Sequence, residues 1–164
     1  MYLENNQIRR FPLRSILAWS GVVLWMGLIF YLSHQPASES NGMSRMVAES
    51  FLRLLSASPS AELIETTNRI LRVLAHGTSF FILALLVAVA FKEVQVIDLP
   101  NAVLTLIFCL LYAALDEWHQ SVVPGRSSEW VDFLTDGAGI ILAIVLLQVY
   151  WVMKRVNADL TVDV

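Results

Sequence analysis

Apolar residues form four long stretches in this chain, and polar residues collect between the stretches and at their ends. The stretches run over about Ser15–Ser33, Val73–Phe91, Ala102–Trp118 and Val131–Met153. A helix needs roughly 20 mainly apolar residues to cross the hydrocarbon core of a bilayer, which is about 30 Å thick. None of the four stretches has a lysine or arginine in its middle. The pattern predicts a four-helix transmembrane domain at 15–153, preceded by a segment at 1–14 and followed by a tail at 154–164.

The basic residues help to decide whether the first stretch is a cleaved signal peptide or a retained helix, and how the chain is oriented in the membrane. Arg9, Arg10 and Arg14 precede an apolar run that is longer than a usual signal-peptide core, and no clean cleavage site follows it. A retained helix is therefore expected. With four spans, six basic residues lie on the side of the termini and five on the other. This excess predicts that both termini are cytoplasmic.

The segment between the first two spans carries a second apolar pattern. Residues with helical spacing there are Met43, Met46, Val47, Phe51, Leu54 and Leu55, while Arg45, Glu49 and Arg53 fall mostly on the other side. This predicts an amphipathic helix that lies in the membrane interface or packs over the bundle. Ser58 and Pro59 then predict the start of a helix that continues into the second span.

Composition agrees with a membrane protein and excludes other classes. The 164 residues are 57% hydrophobic and only 15% charged, with a formal net charge of −3. The basic residues are scattered, so no nucleic-acid-binding surface is expected. The single cysteine, Cys109, lies in an apolar run, which excludes an intramolecular disulfide and predicts a packing residue. The fold class predicted is all-α, an integral membrane bundle of four transmembrane helices with an interfacial helix between the first two.

Polar residues converge on one membrane face when the four helices are threaded through the bilayer in alternating directions. They lie at the end of the first and third spans and at the start of the second and fourth. The set is Ser33, His34 and Gln35; Arg72, His76 and Ser79; Asp116, Glu117, His119 and Gln120; and Arg126, Asp132 and Asp136. Ionisable groups at membrane depth are costly and usually pair with each other or line a polar cavity.

Two interpretations of this polar set are open. In the first interpretation, Arg126 neutralises Asp116 or Asp132 and the histidines hydrogen-bond to carboxylates, so that the network only joins the helix ends. Alternatively, the set forms a functional site, which we favour because acids, histidines and an arginine gather at one mouth. The candidate catalytic residues are His76, Asp116, His119, Arg126 and Asp132, and the candidate substrate-binding residues are Gln35, Glu117, Gln120 and Asp136.

The chemistry available to these residues is varied. The nitrogen and oxygen donors suit a divalent cation, but their spacing matches no strong metal motif, and no cofactor is indicated. A second possibility is that His119, oriented by a carboxylate, acts as a general base while Arg126 holds a phosphate. Pro124 and Gly125 predict the tight turn that returns Arg126 toward the third span. Gly137, Ala138 and Gly139 predict close approach of the fourth helix to a neighbour.

The polar set also resembles a known family. Asp116, Glu117, His119 and Gln120, followed by Pro124, Gly125 and Arg126 and then by Asp132, Asp136 and Gly139, resemble the signature of VanZ-like membrane proteins. His76 and Phe80 are similar to the earlier histidine motif of that family, although Gly77 stands where relatives often have an aromatic residue. The resemblance implies a small bacterial four-helix protein of the cell membrane, and founding members are linked to resistance against the glycopeptide teicoplanin.

Three functions are compatible with this sequence. The preferred hypothesis is an outward-facing site that acts on a cell-envelope component, either lipid-linked or phosphate-bearing. The second is a non-catalytic module that binds envelope lipid, a glycopeptide or partner helices, with a homo-oligomer as a further possibility. The third is a small transporter, which is least favoured because the ionisable residues cluster at one face.

Overall fold

The computed structural model describes residues 13–55, 58–93, 99–126 and 130–162. These residues form five α-helices: α1 (Leu13–Ser33), α2 (Ala37–Leu55), α3 (Ala61–Glu93), α4 (Leu99–Ser121) and α5 (Trp130–Val162). Among the described helices, α1, α3, α4 and α5 are long and apolar enough to cross a membrane. The chain is thus an all-α, multi-pass membrane protein, as predicted, with the short helix α2 between the first two spans.

Helix α3 is the centre of the bundle. It packs against α1, α2, α4 and α5, and it is the principal neighbour of α2. Its buried residues Phe80, Leu83 and Val87 join Val22 of α1 and Ile140 of α5 in one apolar core. Cys109 of α4 is also fully buried in this core. The prediction that Cys109 serves as a small packing residue is confirmed.

Two helices extend further than the apolar stretches predicted. With 33 residues, α3 is roughly 50 Å long, more than a bilayer core requires. The prediction of a helix that continues into the second span is confirmed. The cap, however, is Ser60, whose side chain accepts a hydrogen bond from the Leu63 amide, and not Ser58. At the other end of the chain, α5 continues through most of the predicted tail, because no glycine or proline follows Met153 to stop it.

The start of α4 also differs from the prediction. The helix begins at Leu99, and Pro100 lies in its first turn, where a missing amide hydrogen bond has no consequence. Asn101, also in the first turn, is fully buried. Its side-chain amide donates a hydrogen bond to the Ala88 carbonyl of α3 at 3.0 Å. It therefore joins two spans.

The tryptophans divide into exposed and buried positions. Trp118 and Trp130 are largely exposed near the polar end of the bundle, as expected for residues at the membrane interface. Tyr150 is also exposed at the other end. Trp151, in contrast, is only 8% exposed. The Lys92 ammonium lies 4.4 Å from the centre of its ring.

A pair of glycines sets the closest approach between α3 and α5. A Cβ atom added at Gly139 would overlap the carbonyl oxygen of Gly77. The predicted close packing at Gly137–Gly139 is therefore found, with Gly77 as the partner. A Cβ at Gly77 would make only ordinary contact with Thr135, so position 139 is the one that must be small for this close approach. The contact brings the start of α5 against the His76 turn of α3.

Candidate functional site

A cavity of about 380 Å³ lies at the end of the bundle where the polar residues converge. Its polar lining includes Ser33 of α1, Arg72 and His76 of α3, Asp116 of α4, and Arg126 from the segment that follows α4. Apolar side chains complete the wall, among them Ile29, Leu32, Met43, Val47 and Phe80. The predicted convergence on one face has thus produced a cavity bounded by four helices.

Asp116 is the carboxylate of this cavity. It is buried, and one of its oxygens accepts hydrogen bonds from the Ser33 hydroxyl at 2.9 Å and from the Gln120 amide at 2.7 Å. Gln120 lies one helical turn after Asp116, so both side chains share a face of α4. The Gln120 amide also lies 3.3 Å from the Ser33 hydroxyl. Gln120 therefore holds Asp116 and α1 in place instead of reaching into the cavity.

His76 and Asp136 form the second polar pair. Nδ1 of His76 lies 3.5 Å from an oxygen of Asp136, within ion-pair distance but beyond a good hydrogen bond. Asp136 is completely buried, and neither of its oxygens accepts a hydrogen bond from the described residues. His76 lines the cavity and Asp136 lies behind it. The Gly77–Gly139 contact sets this arrangement, because each glycine lies within one turn of one member of the pair.

Arg126 reaches the cavity from a tight turn. Gly125 has a φ of 75°, a backbone conformation that favours glycine, and the Arg126 amide donates a hydrogen bond to the Val123 carbonyl. The guanidinium donates to the Ser33 carbonyl at 2.9 Å and to the Ser40 hydroxyl at 3.1 Å. The turn predicted from Pro124 and Gly125 is confirmed.

A second guanidinium shares the cavity. Arg72 donates a hydrogen bond to the side-chain oxygen of Asn41 at 2.7 Å. Within the described ranges, neither Arg72 nor Arg126 has a carboxylate at ion-pair distance. The predicted neutralisation of Arg126 by Asp116 or Asp132 is therefore not seen. Burial and the neighbouring charge of Arg72 lower the pKa of Arg126 from its usual value, and the more distant Asp116, Asp132 and Glu117 oppose that effect.

His119 has a different environment from the one expected. Its Nε2 lies 3.3 Å from Nδ1 of His34, and its ring stacks on Phe30 with 4.4 Å between centroids. Its own Nδ1 has no hydrogen-bond partner among the described residues, so a carboxylate does not orient it there. It does not line the cavity. The histidine with a carboxylate beside it at the cavity is His76, which pairs with Asp136.

The remaining predicted residues lie at the edges of the site. Asp132 is partly exposed in the first turn of α5, and Glu117 is buried in α4. The Gln35 amide donates to the Tyr31 carbonyl at 3.3 Å. None of these three residues lines the cavity. Of the nine predicted residues, the cavity wall takes His76, Asp116 and Arg126, and Asp136 and Gln120 support them.

Sequence reasoning missed the contribution of α2. Its Ser40 and Ser44 line the cavity, and Asn41 holds Arg72. The sequence pattern indicates no role of the interfacial helix in the site, and the predicted catalytic and substrate-binding residues do not include Arg72. A signal was present, because small polar residues at 40, 41 and 44 accompany the apolar Met43 and Val47 in α2.

The described residues contain no group of three or more histidine, cysteine, aspartate or glutamate side chains arranged to hold a metal ion. Two guanidiniums, an imidazole and a carboxylate line this one cavity. Such a set can bind an anion and exchange a proton with it.

The chain matches the VanZ/LLP1 family over residues 19–152. It therefore belongs to the VanZ/LLP1 family, and the matched range contains all of the cavity-lining residues. No curated protein and no solved structure matches the chain.

Proposed function

We propose that this VanZ/LLP1 protein binds a phosphate-bearing component of the bacterial cell envelope in the cavity between α1, α2, α3 and α4. The cavity faces the outside of the cytoplasmic membrane in this proposal. The basic residues support that orientation, since six of them accompany the termini and five lie on the cavity side.

The two guanidiniums, which have no carboxylate at ion-pair distance within the described ranges, carry the proposal. Two like charges on one cavity wall repel each other, and their partial burial strengthens the repulsion because the surroundings screen it less than water does. An anion between Arg72 and Arg126 would remove that cost. Phosphate fits well, because arginine donates parallel hydrogen bonds to its oxygens. The neutral partners that now hold both side chains keep their positive charges available.

Equilibrium binding of inorganic phosphate to the protein in lipid nanodiscs tests this proposal. We expect Arg72→Gln and Arg126→Gln each to weaken binding about tenfold, since a hydrogen bond to a charged group contributes about 1.5–3 kcal/mol. Arg69→Gln is the matched control. Arg69 is exposed on α3, one turn before Arg72, and does not line the cavity.

The control should bind within about twofold of wild type, since surface charges contribute little. Arg72→Gln leaves the Arg126 contact with α1 intact but removes the hydrogen bond to Asn41 of α2, so circular dichroism of each variant checks that the fold is retained. Equal binding by the wild type and both cavity variants would contradict the proposal.

Catalysis on the bound phosphate is a second candidate function, and the His76–Asp136 pair favours it. An imidazole with a carboxylate behind it suits a general acid or base. His76→Gln should abolish hydrolysis of an alkyl diphosphate while leaving phosphate affinity within about threefold. His119→Gln should retain hydrolysis, because His119 lies outside the cavity lining. Complete retention by His76→Gln would identify a site that only binds.

The implied link to glycopeptide resistance is a separate prediction. Expression of the protein in a teicoplanin-sensitive bacterium would measure it, with Arg126→Gln as the cavity variant. Protection that depends on Arg126 would connect the cavity to resistance. Protection that survives Arg126→Gln would place that function elsewhere on the protein.

A further inference from the structure

The cavity has a charged part and an apolar part on different elements. Arg72 and Arg126 supply the positive charge, whereas Leu32 of α1 and Met43 and Val47 of α2 supply hydrocarbon. A small hydrophilic anion would gain no favourable contacts from the apolar wall. The lining as a whole is complementary to an amphiphile, which combines an anionic group with a hydrocarbon chain.

The apolar part of the wall is open to the outside. Leu32, Met43 and Val47 line the cavity, yet they are 43%, 52% and 57% exposed. They lie where the end of the span α1 meets α2, and α2 packs chiefly against α3. Because α1 is a membrane span, an opening along its side faces lipid. Such an opening would give a lipid chain a route into the cavity.

The volume of the cavity limits what it encloses. About 380 Å³ is near the lower end of the range of roughly 300–1,000 Å³ that is typical of small-molecule pockets. A phosphate group and the first part of a chain fit such a space, and a whole lipid does not. A bound lipid must therefore leave its remaining chain outside, and the exposed apolar residues mark the exit.

We propose that the ligand is a membrane lipid that enters sideways between α1 and α2, with its phosphate at Arg72 and Arg126 and its chain along Leu32, Met43 and Val47. This inference rests on the proposed phosphate-binding function and adds the substrate class. A water-soluble phosphate compound is the competing source of the same anionic group, and the experiment distinguishes the two.

Photo-crosslinking in nanodiscs tests the path of the chain. The probe is a long-chain alkyl phosphate with a diazirine in the middle of its chain, and mass spectrometry locates the adducts. We expect adducts on Leu32, Met43 or Val47, reduced at least fivefold in Arg72→Gln and unchanged in Arg69→Gln. Adducts confined to outward-facing residues such as Met46, together with normal arginine-dependent phosphate binding, would overturn the lipid inference and leave the proposed function standing.

Two methionines of α2 provide a matched pair of variants. Met43 lines the cavity, while Met46 is 67% exposed and does not. We expect Met43→Gln to weaken binding of a twelve-carbon alkyl phosphate about fivefold without changing the affinity for inorganic phosphate. Met46→Gln should change neither. If Met43→Gln and Met46→Gln bind the alkyl phosphate equally, the chain does not follow this wall.

If neither cavity arginine affects the binding of either probe, the lipid inference and the proposed function fail together. Phosphate binding that depends on the arginines while crosslinking at the apolar wall is absent removes only the lipid inference. The two results are therefore distinguishable in the same preparation.

Discussion

The two ends of the transmembrane bundle use polar residues in opposite ways. At the end near Trp151, Asn101 bonds the Ala88 carbonyl and accepts a hydrogen bond from Thr105, and the Ser15 hydroxyl donates to the Glu93 carbonyl. At the cavity end, the Asp136 carboxylate has no hydrogen bond from the described residues, and two guanidiniums face one space. Hydrogen-bonded polar groups join helices, whereas two guanidiniums on one cavity, with no carboxylate at ion-pair distance among the described residues, are typical of a binding site.

The glycine contact between α3 and α5 should produce the largest effect. Gly139→Val places a side chain against the Gly77 backbone, which cannot rotate away. We therefore expect the free energy of unfolding to fall by about 3 kcal/mol or more. Thermal denaturation in detergent, followed by circular dichroism, measures it. Gly27→Val is the control, because a Cβ there meets nothing within 4 Å. Similar melting of both variants would mean that the bundle tolerates separation of the two helices.

The second largest effect on stability should come from the end of the bundle near Trp151. Asn101→Leu removes the buried hydrogen bond to Ala88 of α3 and the one from Thr105 within α4. We expect the free energy of unfolding to fall by about 1–2 kcal/mol. Phosphate affinity should remain within twofold, because Asn101 lies far from the cavity along the bundle. A change in affinity as large as that of Arg126→Gln would show that the two ends are coupled.

A smaller loss is expected at the same end from Lys92→Met. The substitution keeps the apolar stem but removes the ammonium that lies over Trp151, which should cost about 0.5–1 kcal/mol. Fluorescence-detected melting in nanodiscs is sensitive enough to resolve it. Lys154→Met on α5 provides a comparison that retains the Lys92–Trp151 contact. Equal melting of the two variants would assign no stabilisation to this contact.

The smallest effect on stability should come from the cavity end, and it is the sharpest test of the contrast. Asp136→Asn keeps the shape of a buried side chain while removing a carboxylate that accepts no hydrogen bond from the described residues. We expect the melting temperature to stay the same or to rise, because a neutral amide is less costly to bury. A loss as large as that of Asn101→Leu would instead indicate that the His76–Asp136 pair is a structural lock.

Several features were predictable because they depend on local pattern. The four spans follow from the length of the apolar stretches, and the turn at Pro124–Gly125 follows from the conformational preferences of its residues. The gathering of polar residues at one end also follows, since antiparallel helices bring alternate ends together. Helical spacing predicts that Asp116 and Gln120 share one face of α4, and the Gln120 amide does donate a hydrogen bond to the Asp116 carboxylate.

The roles of individual polar residues were less predictable. His76 and His119 both lie near the ends of spans, but only the tertiary packing places His76 on the cavity and His119 against His34 and Phe30. The helical pattern of α2 predicted an interfacial element and gave no indication of where its polar face would dock. Ser40 and Asn41 entered the site because α2 packs on the projecting start of α3.

The sequence by itself determined that this protein is a helical membrane bundle with a polar end, because hydropathy and helix geometry are local properties. Only the tertiary structure decided which charges meet. Rotation of a helix about its axis changes the neighbours of every side chain without changing its depth in the membrane. Here that rotation is set by contacts between distant residues, above all by Gly77 against Gly139. The placement of Arg72 and Arg126 on one cavity, the His76–Asp136 pair and the apolar wall of the cavity all depend on that packing.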